Sequence, residues 1–268
     1  MIANILSVAG SDPSGGAGIQ ADLKAISANG AFAMAAITAL TAQNTEGVSG
    51  IHLVPPGFVA DQIAAVFADV RVDGVKVGMI ATAEICEAVA DTLSAHVGPP
   101  VVVDPVMVAK GGAPLLADDA VDAVRSQLLP LAAVLTPNLP EAARLLDASP
   151  ATSREAMEEQ AHDLVALGPR AVLLKGGHLE GGESPDCLAA GGETHWFEGP
   201  RTQTKNTHGT GCTLSSALAA RLGQGEALTD AVGQAKAYVA DAIAGADQLS
   251  VGQGHGPTHH FTRLWNAS

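Results

Sequence analysis

Residues 205–215, Lys-Asn-Thr-His-Gly-Thr-Gly-Cys-Thr-Leu-Ser, predict a glycine-rich turn that leads straight into a helix. Glycines at positions 209 and 211 let the backbone approach a ligand closely. The first turn of a helix leaves several N–H groups unpaired and carries the positive end of the helix dipole. The backbone of Gly209, Thr210 and Gly211 is therefore expected to form an anion hole, which suits a phosphoryl group in transit.

Cys212 lies at the start of the same helix. Such a cysteine is most often a small buried apolar residue. The helix N-terminus is expected to lower its thiol pKa toward neutral, and a thiolate there can act as general base for an attacking hydroxyl. A covalent nucleophile is a third interpretation, although no His–Asp or His–Asn pattern in the sequence favours it.

The composition indicates an acidic protein with an aliphatic core. Of the 268 residues 47% are hydrophobic but only 3% are aromatic, and the formal net charge is −14. This charge argues against nonspecific binding of nucleic acid and against docking on anionic membranes. A site for a polyanion must then be locally cationic or use Mg²⁺.

Targeting and metal signals are weak. The longest apolar run, residues 31–42, is too short to span a bilayer, and the N-terminal residues do not resemble a signal peptide. Three widely spaced cysteines predict neither a disulfide framework nor a zinc site, which favours the cytoplasm. The spacing of His255, His259 and His260 fits no helical ligand pair, so these side chains are expected in packing or at the surface.

Strands alternate with helices along the whole chain, so residues 1–268 are expected to form one domain. The prediction is an α/β fold of three layers, with a mainly parallel central sheet covered by helices on both faces. Predicted strands cover 4–9, 74–79, 101–105, 133–136 and 171–174, a second apolar segment covers 33–40, and a hairpin covers 187–197. Predicted helices cover 19–29, 56–68, 82–96, 118–129, 140–146, 153–167, 211–222 and 226–246. Ligands in such folds bind outside the carboxyl ends of the strands.

The loop of residues 11–18 is rich in glycine and follows the first strand. Residues 16–21 match the dinucleotide pattern G-x-G-x-x-A, but the glycines lie several residues beyond the strand. No acidic residue stands about twenty positions later, where a ribose ligand is needed. A loop that closes over a small substrate, with Asp22 facing inward, is therefore favoured over a dinucleotide site or a purely structural turn.

Four polar side chains follow other predicted strands. Asn138 and Glu141 share a face of a first helical turn and are suited either to Mg²⁺ and phosphate or to a capping box. Asp104 before Pro105 is either a turn former or a ligand in a metal shell. Lys175, flanked by glycines, is the best-placed cation for nucleotide phosphates, although a solvated lysine is the usual interpretation.

Together these motifs resemble the hydroxymethylpyrimidine/phosphomethylpyrimidine kinases of thiamin biosynthesis, a branch of the ribokinase superfamily. The resemblance rests on residues 9–22, 39–44, 76–79, 136–141, 175–178 and 206–212, in this order and spacing. It spans nearly the whole chain and implies a ribokinase-like fold.

The resemblance also implies roles for single residues. Gly10, Asp22, Gln43 and Met79 would line the pyrimidine pocket, where Asp22 and Gln43 read the ring and Met79 packs on its face. Asp104 and Glu141 would serve Mg²⁺, while Asn138, Lys175 and Thr207 would serve the nucleotide. Cys212 would be the base, beside the anion hole of residues 209–212. Sugar kinases of the superfamily carry aspartate at its position, so the need for base catalysis is open.

The expected activity is ATP-dependent phosphorylation of 4-amino-5-hydroxymethyl-2-methylpyrimidine and then of its monophosphate. The loop of residues 11–18, which is expected to be mobile, and residues 107–112, with Lys110, are candidates to make room for the second phosphate. A pyridoxal or pyridoxine kinase of the same fold is the alternative, and a nucleotide-binding sensor without chemistry is a further one. The resemblance also implies a homodimer.

Overall fold

The computed structural model describes residues 1–108, 112, 115–117 and 119–265. Within them, eight strands form a sheet in the order β10-β9-β8-β7-β6-β5-β1-β2, and β3 and β4 form a separate hairpin. The strands are β1 Asn4–Ala9, β2 Phe32–Ile37, β3 Ala39–Gln43, β4 Val48–Leu53, β5 Gly74–Val77, β6 Val101–Val103, β7 Val134–Leu135, β8 Ala171–Lys175, β9 Asp186–Ala190 and β10 Glu193–Phe197. The neighbours from β2 to β8 are parallel, while β9 and β10 add an antiparallel edge.

Helices cover both faces of this sheet. They are α1 Gly18–Ala28, α2 Pro56–Asp69, α3 Ala83–Ser94, α4 Ala120–Ala123, α5 Leu139–Leu146, α6 Arg154–Val165, α7 Thr210–Gly223 and α8 Leu228–Ala244. Consecutive strand residues point to opposite faces. Ile5 accordingly packs with α1, α7 and α8, whereas its neighbour Leu6 belongs to the core on the side of α2, α3, α5 and α6. The predicted three-layer α/β architecture is confirmed.

Two predicted elements differ from the structure. Thr38 separates β2 from β3, because its N–H bonds to Ala9 and its hydroxyl bonds to the Met79 carbonyl, so residues 33–40 are not one segment. The predicted helix 118–129 begins as α4, widens into a π-helical turn at Val124–Leu128 and ends in a 3₁₀ turn at Leu129–Leu131. Pro130 lacks an N–H and cannot continue a helix. The first residue of that prediction, Asp118, lies outside the described residues.

No helix of the described chain is long and apolar enough to cross a membrane.

Candidate active site

The carboxyl ends of five parallel strands meet at one edge of the sheet, as predicted. Each strand carries a polar or close-packed residue at or just beyond its end: Gly10 after β1, Met79 after β5, Asp104 after β6, Asn138 after β7 and Lys175 at the end of β8. The sheet topology thus brings together residues that are far apart in sequence, and α7 begins directly above them.

Gly209 makes the turn into α7 possible. Its φ of +78° lies in the left-handed region that favours glycine, and a Cβ there would collide with the carbonyl oxygen of Gly16. The turn is closed by Thr210, whose hydroxyl donates to the Thr207 carbonyl oxygen at 2.8 Å. The glycine loop and the start of α7 are therefore in direct backbone contact, and the anion hole of residues 209–212 remains a prediction.

Gly211 faces the charged part of the site. A Cβ on Gly211 would lie 3.3 Å from Lys175 Nζ and 3.5 Å from Asp104 Oδ2. Lys175 Nζ donates to Asp104 Oδ1 at 3.0 Å, and hydroxyls of Thr136 and Ser215 contact the same carboxylate at 3.4 Å. A lysine held by a buried carboxylate, next to the open amides of a helix start, is a suitable binding point for phosphate oxygens.

Asn138 and Glu141 form a complete capping box at the start of α5. Asn138 Oδ1 accepts from the Glu141 N–H at 2.9 Å, and Glu141 Oε2 accepts from the Asn138 N–H at 2.8 Å. The capping box, which was the alternative to Mg²⁺ and phosphate binding by these two residues, is thus present. Burial raises the pKa of Glu141 to about 7, and the nearby Asp104 adds to the shift while Lys175 opposes it.

The carboxylate of Asp104 lies close enough to Glu141 to contribute to the raised pKa of Glu141. Mg²⁺ keeps several waters and is commonly held by one or two carboxylates together with substrate phosphates. The donor set therefore fits a hydrated Mg²⁺ that arrives with a nucleotide.

The thiol of Cys212 does not have the lowered pKa that the sequence predicted. Burial raises the pKa of Cys212 to about 11, although Lys76 and a hydrogen bond from the Gly18 N–H both act in the opposite direction. The expected lowering of the Cys212 pKa by the helix N-terminus was wrong, because the loss of solvation at this partly buried position outweighs it.

Asp22 also differs from its expected role. It is fully buried, and its two oxygens accept hydrogen bonds from Lys76 at 2.9 Å, from Ser7 at 2.6 Å and from Ser216 at 2.7 Å. Both oxygens therefore have partners inside the protein. The geometry does not support direct reading of a pyrimidine ring by Asp22 and indicates a supporting role behind the site.

Gly10 and Met79 adjoin each other, as a shared pocket requires. A Cβ on Gly10 would lie 2.8 Å from Met79 Sδ, and a Cβ on Gly18 would collide with the Gly10 carbonyl oxygen. Gly18 in turn donates its N–H to Cys212. The expected substrate side is therefore continuous with the start of α7.

Gln43 reaches the site from the β3–β4 hairpin. Its Nε2 lies 3.3 Å from His208 Nε2, and the same ring nitrogen lies 2.8 Å from Asp12 Oδ2. Asp12 also accepts from the N–H groups of Ser14, Gly16 and Ala17 and from the Ser14 hydroxyl. Burial alone would raise the pKa of Asp12, but the bonds from His208, Ser14 and Ala17 lower it below its ordinary value.

These bonds give the loop of residues 11–18 several partners, and its mobility stays a prediction. Lys110, the other candidate to make room for a second phosphate, lies outside the described residues.

Three residues with clear structural roles in the site were missed from the sequence. Lys76 stands in an otherwise apolar strand, and a lysine in such a position is a signal for a buried ion pair. Asp12 and His208 gave no such signal, because 196 positions separate them.

Comparison with known proteins shows the family. The family model for phosphomethylpyrimidine kinase matches residues 12–259. The hydroxymethylpyrimidine/phosphomethylpyrimidine kinase of Salmonella typhimurium is 52% identical over 262 residues, which are 98% of each chain. The resemblance seen in the sequence is confirmed.

Solved structures support the same fold. A pyridoxal kinase from Bacillus subtilis in complex with ADP matches with a TM-score of 0.91 and 35% identity, over 99% of this chain and 100% of that one. The phosphomethylpyrimidine kinase of Clostridium difficile matches with a TM-score of 0.80 and 39% identity, over 90% of this chain and 99% of that one. With a family model that spans most of its length and a relative more than half identical, the chain belongs to the phosphomethylpyrimidine kinase family.

Proposed function

We propose that this chain transfers the γ-phosphoryl group of ATP to the hydroxymethyl group of 4-amino-5-hydroxymethyl-2-methylpyrimidine, and then phosphorylates the monophosphate to the diphosphate. It is a phosphotransferase of thiamin biosynthesis. The relatives that are about half identical over nearly the full length carry this double name. The pyridoxal kinases among the solved structures are less similar in sequence, at 32–35% identity, so the alternative is not favoured.

One observation carries the mechanism: Gly211 lies against both Lys175 and Asp104, and the thiol of Cys212 comes next in the chain. In the first step the substrate oxygen forms a bond to the γ-phosphorus, while the bond from that phosphorus to the β,γ-bridging oxygen breaks and ADP leaves. The amides of residues 209–212 and Lys175 would hold the charge on the equatorial oxygens.

The alcohol proton needs an acceptor, and Cys212 is the proposed one. The thiol must ionise first, which burial disfavours in the free protein. Phosphoryl transfer depends mainly on positioning and charge stabilisation, so a small population of the thiolate suffices. Gly10, Gln43 and Met79 would hold the pyrimidine, with Asp22 acting from behind the pocket. Asn138 and Thr207 are assigned to the nucleotide side.

Mg²⁺ would be held by Asp104 and Glu141 and would neutralise charge on the nucleotide phosphates. A homodimer and a cytoplasmic location complete the proposal. The dependence on Mg²⁺ is tested by turnover in EDTA followed by titration with MgCl₂, and the dimer by light scattering.

The deciding experiment is release of ADP with three substrates offered separately: the hydroxymethylpyrimidine, its monophosphate and pyridoxal. We expect turnover on both pyrimidines. Turnover on pyridoxal alone would reverse the assignment, and binding of ATP and pyrimidine without ADP release would indicate a sensor.

A further inference from the structure

One turn along α7 from Cys212, Ser216 contacts a fully buried ion pair that takes no part in the phosphoryl-transfer step described above. Lys76 Nζ donates to both oxygens of Asp22 at 2.9 Å, and both side chains have 0% exposure. Replacing such a pair by apolar residues is often neutral or stabilising, because burial removes the solvation of both charges. Stability alone therefore does not account for its presence.

The pair is joined to Cys212 through two helices that lie side by side. Gly18 and Asp22 are one turn apart on α1, and Cys212 and Ser216 are one turn apart on α7. Gly18 donates its N–H to the sulfur, and Ser216 donates its hydroxyl to Asp22 at 2.7 Å. The Cys212 thiol and the Asp22 carboxylate are thus connected by two routes, one through Gly18 on α1 and one through Ser216 on α7.

The side chain of Lys76 reaches Asp22 from strand β5 of the sheet. A Cβ on Gly78 would lie 2.6 Å from Lys76 Nζ, so the glycine leaves the room that the ammonium group occupies. Four charged groups act on the thiol: Lys76 from β5, Asp22 from α1, Asp104 after β6 and Lys175 from β8. Lys76 and Asp22 are the two of these that are fully enclosed, where charge is least screened.

We propose that the Lys76–Asp22 ion pair is a positioning device that sets how readily Cys212 loses its proton, with Lys76 favouring the thiolate and Asp22 opposing it. Its effect on turnover rests on the proposed role of Cys212 as base, but its effect on the thiol does not. The two partners therefore act on the sulfur with opposite signs, whereas a purely structural pair would not.

The test is the rate at which iodoacetamide alkylates Cys212 between pH 7 and 10.5, without nucleotide or substrate, resolved by peptide mass spectrometry from Cys86 and Cys187. Asp22→Asn removes the negative charge and retains hydrogen-bonding capacity, so the rate at pH 8 should rise by about threefold or more. Lys76→Met should lower it by a similar factor. A threefold change corresponds to a shift of roughly half a pKa unit.

Ser7→Ala is the matched control, because it removes a hydrogen bond to Asp22 without changing any charge. It should alter the rate less than about twofold. Changes of the same sign in Lys76→Met and Asp22→Asn, or none in either, would overturn the proposal. Should Lys76→Met fail to fold because it leaves Asp22 buried alone, Asp22→Asn decides the question through the sign of its effect.

The pH profile of kcat separates this inference from the proposed function. If alkylation shifts as expected and the kcat profile does not, the ion pair controls the thiol and the thiol is not the base. If alkylation is unchanged while both pyrimidines are still phosphorylated, the inference fails and the kinase activity stands.

Discussion

At the scale of the residue, burial decides the behaviour of the titratable groups more than sequence position does. Cys212 stands at a helix N-terminus, yet burial raises its pKa to about 11. Glu141 caps a helix, which favours a carboxylate, and burial still raises its pKa to about 7. Local rules about helix ends assume full exposure to water, whereas Cys212 is only partly exposed and Glu141 is buried.

Cys212→Ala tests the base directly. If the thiol accepts the alcohol proton, kcat should fall by roughly 10²–10⁴, because a positioned base typically contributes that much. The measurement is steady-state kinetics with the hydroxymethylpyrimidine. Cys212→Ser, which keeps the shape but not the acidity, should be nearly as slow. A loss below about tenfold in Cys212→Ala would leave the residue a packing role.

Glu141 predicts a pH dependence of stability. Its folded pKa of about 7 lies above the ordinary value of 4.5, so the folded state binds more protons between these pH values. Its contribution to the free energy of unfolding should therefore decrease as pH rises from 4.5 to 7, by roughly 1–3 kcal/mol.

Urea unfolding of the wild type and of Glu141→Gln at pH 4.5 and 7.5 measures this contribution. Glutamine retains the cap but does not titrate. The free energy of unfolding of the variant, relative to the wild type, should therefore be greater at pH 7.5 than at pH 4.5. Equal differences at both pH values would contradict the shift.

At the scale of the element, the turn into α7 depends on close backbone contact with the glycine loop. The contact between Gly209 and Gly16 excludes a side chain at position 209. The same contact restrains the start of α7 relative to the loop, so the proposed anion hole depends on both segments.

Gly209→Ala should therefore reduce both stability and turnover, since it adds a collision to the cost of a positive φ. Gly191→Ala is a matched control, because Gly191 also has a positive φ but no atom within 4 Å of its added Cβ. The control should lose about 1 kcal/mol of stability and keep its kcat. Thermal unfolding and ADP release measure the two effects, and equal kcat values in both variants would refute the role of the contact.

At the scale of the whole molecule, the C-terminal segment ties distant parts of the site together. His208 forms a backbone bridge with Pro257, and the His255 N–H donates to the Thr45 carbonyl. His260 is buried, its Nε2 lies 3.1 Å from the Thr213 hydroxyl on α7, and its carbonyl accepts from Tyr238. The segment thus links the hairpin, the turn before α7, and α8.

Acid should loosen this link. Burial lowers the pKa of His260 to about 3 from 6.5, with a smaller contribution from Lys24. The unfolded state then binds more protons between pH 6.5 and 3, so stability should be lost as pH falls through this range, by roughly 1–3 kcal/mol from this residue. In urea unfolding, the free energy of unfolding of His260→Gln should depend less on pH between 6.5 and 3 than that of the wild type. His52→Gln, at an exposed histidine, is the control and should keep the wild-type dependence.

Much of this molecule was predictable because its polar residues follow apolar strands. The ends of β1, β5, β6, β7 and β8 and the α7 turn were placed correctly on that basis. The β4 strand was missed because its mostly exposed residues leave no clear apolar pattern. Lys76 in an apolar strand signals a buried ion pair, but its partner Asp22 and the Asp12–His208 pair could not be predicted, because each pair joins elements that are adjacent only after folding.

The carboxylate of Asp12 has a consequence for motion. The Asp12 carboxylate accepts hydrogen bonds from the backbone of its own loop and contacts the ring of His208, so the loop residues are expected to move together rather than one at a time. Any opening of the loop would be cooperative: the contact of His208 with Gln43 and the backbone contact of Gly16 with Gly209 would be lost together.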